Sequence, residues 1–152
     1  MTDSTRILIV DDDPLSLVAF GAMLEKHFPV DTANGPAQAL ERLEAHPPYA
    51  VVISDMYMPG MDGIDFLAEA GRLSPSTVKI MLTGHADLET AMAAVNKGHV
   101  FGFFSKTCHP QALVTAVRKA VVEHRKHRVR SSRPFSRGEL LTREELDFLS
   151  SR

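Results

Sequence analysis

Three aspartates in a row, Asp11, Asp12 and Asp13, close the aliphatic run Ile7-Leu8-Ile9-Val10, and Asp55 closes a second run, Val51-Val52-Ile53-Ser54. Carboxylates brought together from two loops repel unless something positive sits among them. Hard oxygen donors without His or Cys select Mg²⁺ or a similar ion, and because Mg²⁺ keeps several waters, two or three carboxylates suffice. Lys106, at the end of the run VFGFFS, adds a positive charge that pairs with a carboxylate at rest and with a phosphoryl oxygen later. Thr83, directly after VKIML, adds a hydroxyl donor. An aspartate, a divalent ion, a lysine and a hydroxyl are the parts needed to accept a phosphoryl group, a reaction governed by positioning and charge neutralisation.

These residues can meet only if the runs they follow lie side by side. The segments at 6–10, 50–54, 78–82 and 100–105, with a weaker one near Val30 to Ala33, are apolar without polar alternation, as central parallel strands covered on both faces must be. Helical patterns fill the intervals. Pro14 opens the first, with Leu17, Val18, Gly21 and Leu24 on one stripe, and Pro36 opens the second, with Ala37, Leu40 and Leu43 before His46-Pro47-Pro48. The third starts near Gly63 and buries Ile64, Phe66 and Leu67; the fourth is capped by Asp87 and uses Leu88, Ala91, Met92 and Val95; the fifth opens at Pro110 and repeats Leu113, Ala116, Val117, Ala120 and Val121. Five strands alternating strictly with five helices predict an α/β fold, a doubly wound five-stranded parallel sheet. Such a sheet binds its ligand outside the carboxyl ends of its strands, where all the residues named above fall.

At 152 residues and 44% hydrophobic content the chain accommodates one domain and a tail. The single cysteine, Cys108, excludes an internal disulfide and a Cys-rich metal site and fits a reducing, cytoplasmic setting; it reads as a small buried or loop residue. No apolar run approaches the roughly 18 to 20 residues of a membrane helix, and MTDSTR lacks the features of a signal peptide. Charge is uneven: residues 1–117 carry a net −7 and residues 118–152 a net +5. The basic run RKAVVEHRKHRVRSSR at 118–133 reads as a solvated extension of the fifth helix, since no aromatic interleaving or helix-turn-helix pattern accompanies it; no direct nucleic-acid contact is expected. After the linker-like SSRPFSRG, Thr142 and Glu145 form a capping box, and Leu141, Leu146 and Leu149 give a short helix an apolar face for docking.

The motifs ILIVDDDP, VVISDMYMPGMDG, KIMLTGHAD and FFSKTCHP, in that order, closely resemble the receiver domain of bacterial two-component response regulators over roughly residues 5–125. The resemblance implies the flavodoxin-like receiver fold, with Asp55 as phosphoacceptor. It implies Mg²⁺ held by Asp11, Asp12, Asp55 and the backbone carbonyl of Tyr57; Asp13 lies one place beyond the matching pair and is read as the entry to the first helix. Thr83 and Lys106 would bind phosphoryl oxygens, Thr83 and Phe103 would form the switch, and Tyr57 and His85 would tune the lifetime of the phosphorylated state. A histidine kinase or phosphotransfer protein is the implied donor, and a homodimer through the fourth helix, fifth strand and fifth helix a family expectation. The domain is then a regulator, with at most weak autophosphatase activity. One departure stands out: Thr107 follows the lysine where the family usually has a proline, often in a cis bond, and a trans Lys106–Thr107 peptide with altered phosphorylation kinetics is expected.

Competing readings leave specific gaps. A phosphatase of the haloacid dehalogenase type also combines Asp, Thr or Ser, Lys and Mg²⁺, but needs a second acid two residues after its nucleophile, where Tyr57 stands. A nucleotide-binding module lacks any G-x-G-x-x-G after the first strand. Asp62-Gly63 reads as helix-start chemistry, and His85 has no partner at metal-ligand spacing. The stretch from Leu82 to Cys108 particularly resembles receivers joined to HD-GYP-type phosphodiesterases or other effectors. The expected division is a receiver over 1–126 followed by a basic linker and short amphipathic helix over 127–152, with the whole read as a piece of a longer protein.

Overall fold

In the computed structural model, residues 5–45, 48–84 and 87–132 are described. Five strands, β1 (Ile7–Asp11), β2 (Val30–Asn34), β3 (Val51–Ser54), β4 (Val78–Thr83) and β5 (Gly102–Ser105), alternate with α1 (Pro14–Glu25), α2 (Pro36–Ala45), α3 (Gly63–Leu73), α4 (Leu88–Gly98) and α5 (Pro110–Ser132). The sheet order is β2-β1-β3-β4-β5, and every pairing is parallel. The chain starts in β1, moves outward to β2, then crosses to β3 on the other side. That reversal leaves a crevice between the carboxyl ends of β1 and β3.

Side chains alternate across each strand, so the unbroken apolar runs feed two cores. Leu8, Val10, Val52 and Met81 join Leu43, Phe66, Leu67 and Ala94 under α2, α3 and α4. Ile7, Ile9, Ile53, Ile80 and Leu82 join Leu24, Leu113, Val117 and Val121 under α1 and α5. Phe66, Leu67, Leu24 and Leu113 are fully buried. Truncating any one of these to alanine costs about 2–5 kcal/mol.

The caps follow local chemistry. Asp13, with Pro14 at the first helical position, accepts the Leu15 amide at 3.0 Å; Asp62 accepts the Asp65 amide and Asp87 the Thr90 amide, each at 2.8 Å. Sequence reading misplaced some outer residues. Val18 is 70% exposed, because Leu17, Phe20, Gly21 and Leu24 make the i, i+3, i+4, i+7 stripe and Val18 points about 100° away. Met92 and Val95 are likewise 56% and 53% exposed: α4 turns Ala94 and Gly98 inward, small residues that let it lie close to its neighbours. Ala37 is exposed, and α2 packs through Ala39, Leu40 and Leu43.

The basic run at 118–132 continues α5 as a helix, as expected. His124, which sequence reading did not single out, is fully buried there, its Nδ1–H donating to the Ser76 carbonyl at 2.7 Å. Among the described residues no helix is long and apolar enough to cross a membrane. The helix expected around Thr142 to Leu149 lies outside the described residues.

Candidate functional site

β1 delivers Asp11 at its last position, and the Asp55 amide donates to the Val10 carbonyl at 3.1 Å, so the residue after β3 is drawn beside the end of β1. The carboxylates of Asp11, Asp12 and Asp55 each bring an oxygen within 4.8 Å of the others. Asp11 is buried, Asp55 half-buried and Asp12 exposed. Asp12 borders an open groove of about 430 Å³ lined by Asn34, Pro36, Leu40, Pro59 and Met61. The residues the sequence marked for an acidic site therefore meet at the β1/β3 crevice.

Lys106 reaches them from the turn after β5. Its amide donates to the Thr83 carbonyl at 2.9 Å, which ties the ends of β4 and β5 together and starts the side chain toward β3. Its ammonium lies 2.7 Å from Asp11 Oδ2 and 3.2 Å from Asp55 Oδ2. A third donation goes to Ser16 Oγ at 3.1 Å. The other oxygen of Asp55 accepts the Met56 amide at 2.7 Å, and Asp11 Oδ1 accepts the Asp13 amide at 3.0 Å. No peptide among the described residues is cis, so Lys106–Thr107 is trans as expected, and Thr107 instead links to Ser105 through its amide at 3.2 Å and its hydroxyl at 2.8 Å.

The electrostatics are unbalanced. Three carboxylates and one ammonium leave a net charge of −2 in the crevice. Burial raises the Asp11 carboxyl above its usual pKa, the bond from Lys106 and the Asp13 amide pull it down, and the charge of Asp55 pushes it up again. Burial also works against charge on Lys106, yet the hydrogen bond and charge of Asp11, with those of Asp55, hold its ammonium above the ordinary lysine range. Lys106 is thus firmly charged, and one lysine does not neutralise Asp11. Hard oxygen donors with two negative charges in excess fit a divalent cation.

Thr83, last in β4, is fully buried, and the register Met81↔Phe103 and Thr83↔Ser105 places Thr83 and Phe103 on the same face of adjacent strands. Phe103 is half-buried against the core under α2, α3 and α4. Tyr57 is 51% exposed. His85 lies outside the described residues. Cys108 is a half-buried free thiol against the α1/α5 core, as anticipated, with burial raising its pKa.

Two residues escaped sequence reading. Gly63 was taken only as a helix start, but a Cβ there would stand 2.0 Å from the Asp55 carbonyl oxygen, and its amide donates to Met56 at 2.6 Å. Only glycine lets α3 approach the Asp55 backbone so closely. Ser16 was missed as well; its spacing of three from Asp13 on a helix was the available signal.

A five-stranded parallel sheet in the order 2-1-3-4-5, with an acidic cluster and a lysine at its switch point, defines the class of flavodoxin-like receivers. Residues 7–118 match the response regulator receiver domain, and the chain belongs to that family. It is 33% identical over 115 residues to the hydrogenase transcriptional regulatory protein HoxA of Cupriavidus necator, covering 76% of this chain and 24% of that protein. The chain thus spans about a quarter of the length of such curated relatives. A CheY-like response regulator receiver domain protein from Methanospirillum hungatei JF-1 superposes with TM-score 0.74 at 30% identity, over 83% of this chain and 99% of that one. The signal receiver domain of an HD domain-containing protein from Pseudomonas fluorescens Pf-5 gives 0.76 at 31%, over 82% and 99%. Receiver domains are phosphoacceptors that bind Mg²⁺ in an acidic pocket and interact with histidine kinases and effectors, and the similar NtrC4 receiver domain is a dimer when activated by beryllofluoride. The haloacid dehalogenase reading gains no support.

Proposed function

We propose that Asp55 accepts a phosphoryl group from a histidine kinase or phosphotransfer protein. The observation that carries this is the meeting of Asp11, Asp12 and Asp55 within 4.8 Å, with Lys106 bridging Asp11 and Asp55. An Asp55 carboxylate oxygen attacks phosphorus, the phosphorus–nitrogen bond of the donor phosphohistidine breaks, and the leaving imidazole takes a proton from water. Mg²⁺, held by Asp11, Asp12, Asp55 and the Tyr57 carbonyl, would offset the charge gathered on the phosphoryl oxygens. Lys106 transfers its contact from carboxylate to phosphoryl oxygen, and the Thr83 hydroxyl donates to another.

Thr83 drawn toward the phosphoryl group vacates space for Phe103 to turn inward, on the same face of the neighbouring strand. The α4-β5-α5 surface then changes. Exposed Met92, Val95, Phe101 and Val122 on those elements and the adjoining turn support a docking or dimerisation role. Tyr57 limits water's access to the acyl phosphate, and any autophosphatase activity is weak. The receiver is taken as residues 1–126; residues 127–132 continue α5 rather than opening a linker, and the basic stretch would lead on toward an effector. The likeness to a receiver from an HD domain-containing protein supports such an output. A cytoplasmic setting suits the kinase exchange.

Incubation with Mg²⁺ and acetyl phosphate, followed by intact-mass spectrometry, should show one added phosphoryl group, absent in Asp55→Asn. Continuous release of phosphate from phosphomonoesters over many turnovers would instead identify a phosphatase.

A further inference from the structure

The Lys106 ammonium has three hydrogens and three partners, and only two of those belong to the acidic cluster. The third, Ser16 Oγ at 3.1 Å, is the third residue of α1 and lies 90 positions away in the chain. Its own hydroxyl hydrogen goes to Asp13 Oδ2 at 3.2 Å. Asp13 is itself fixed twice, because its other carboxylate oxygen caps α1 through Leu15 and its amide donates to Asp11 Oδ1. A hydroxyl carries one hydrogen, so with Asp13 taking it a lone pair faces the ammonium. The orientation of Ser16 is set from outside the site.

Lysine is a compact charge on a flexible four-carbon stem, and nothing in its shape fixes where the charge rests. With Ser16 as its third contact, the ammonium rests 2.7 Å from Asp11 and 3.2 Å from Asp55, within reach of both. An ammonium settled on Asp11 is displaced from the group that receives phosphate. We propose that Ser16, held by Asp13, is a positioning residue that keeps the Lys106 ammonium between Asp11 and Asp55. This rests on Asp55 being the phosphoacceptor. It also gives Asp13 a task besides capping: it orients the hydroxyl that aims the lysine.

The test uses the full chain with saturating Mg²⁺ and titrated acetyl phosphate, a small donor that removes any effect of kinase docking. Rates come from intact mass across a donor titration, for wild type, Ser16→Ala, Ser16→Thr and Asp55→Asn. Alanine favours the helix, so the first variant folds. We expect Ser16→Ala to lower the maximal rate about fivefold to tenfold, with the half-saturating donor concentration unchanged, and Ser16→Thr to return the rate to within about twofold of wild type. The Mg²⁺-induced rise in Tm should be the same in wild type and the two Ser16 variants. A Ser16→Ala rate equal to wild type, or a Ser16→Thr rate as slow as alanine's, overturns the role of the hydroxyl. Wild type that gains phosphate at a site other than Asp55 overturns the reading of the phosphoacceptor, and the inference with it.

Discussion

Lys106 and Asp11 form the shortest ion pair of the acidic crevice, at 2.7 Å, and the pair does not neutralise the aspartate: its carboxyl stays above the usual range while the lysine stays charged. Burial is the larger force on Asp11, and the charge of Asp55 adds to it. The crevice therefore carries an excess of negative charge that fits a further cation, and the carboxylates repel one another.

That repulsion sets the sign of a stability change. A carboxyl whose folded pKa is raised disfavours the fold while ionised, and the cost is relieved as pH falls through the folded value. Metal-free protein with Asp11→Asn should melt above wild type at neutral pH. In wild type, Mg²⁺ at a hundred times its Kd should add about 2.7 kcal/mol, and the variant should lose most of this gain. Melting curves in chelator and in Mg²⁺ decide the matter; a variant less stable than wild type in chelator would contradict the assignment.

Gly63 and Gly21 should respond to alanine in opposite directions. At Gly63 the new Cβ would lie 2.0 Å from the Asp55 carbonyl oxygen, a backbone atom that cannot give way. Gly63→Ala should cost about 3 kcal/mol and slow phosphorylation together. At Gly21 the nearest atom, Thr32 Cγ2, is an ordinary 3.6 Å away, so Gly21→Ala should add up to about 1 kcal/mol through helix propensity. Urea denaturation of both variants tests the contrast.

Tyr49 predicts an alkaline limb. Burial first, and then the hydrogen bond to Asp31 at 2.7 Å, push its phenol up from 10.0 to about 12. Between those values the unfolded chain loses a proton that the folded protein keeps, so stability falls as pH rises from about 10 to 12. Lys106, also raised, loses its contribution as pH climbs through its folded value. Tyr49→Phe should cost about 1 kcal/mol at neutral pH and flatten this limb. Urea midpoints between pH 9 and about 12 show it.

Thr107 anchors the turn after β5 through its amide, which donates to Ser105 Oγ at 3.2 Å. Proline has no such hydrogen. Thr107→Pro should therefore change the rates of phosphorylation and dephosphorylation with acetyl phosphate, and identical rates would show that the turn leaves Lys106 unaffected.

Tyr57 is half exposed, so its removal should move stability by no more than about 0.5 kcal/mol. Its effect should fall on water's access to the acyl phosphate: Tyr57→Ala should shorten the lifetime of the phosphorylated state. An equal or longer lifetime after donor removal would rule this out.

Much of this protein is written locally. The apolar runs, the prolines opening α1, α2 and α5, and the caps at Asp13, Asp62 and Asp87 act within a few residues, so strand and helix order was legible along the chain. The acidic site was legible for a topological reason: in a parallel sheet each strand ends at the same edge, so Asp11, Asp55, Thr83 and Lys106 converge whatever the details of packing. Helix faces were less so. Val18, Met92 and Val95 are apolar yet exposed, because which side of a helix meets the sheet depends on its docking, and Ala94 and Gly98 serve that close approach better than larger residues.

Sequence alone determined the elements, their order and the set of charges at the sheet's carboxyl edge. Tertiary structure decided what lies between those charges. Contacts such as Ser16 to Lys106, Gly63 to Met56 and His124 to Ser76 join residues 90, 7 and 48 positions apart, and only the packed chain brings such partners within bonding distance. The charge balance followed from the same packing, since burial of Asp11 keeps its repulsion from being absorbed by water.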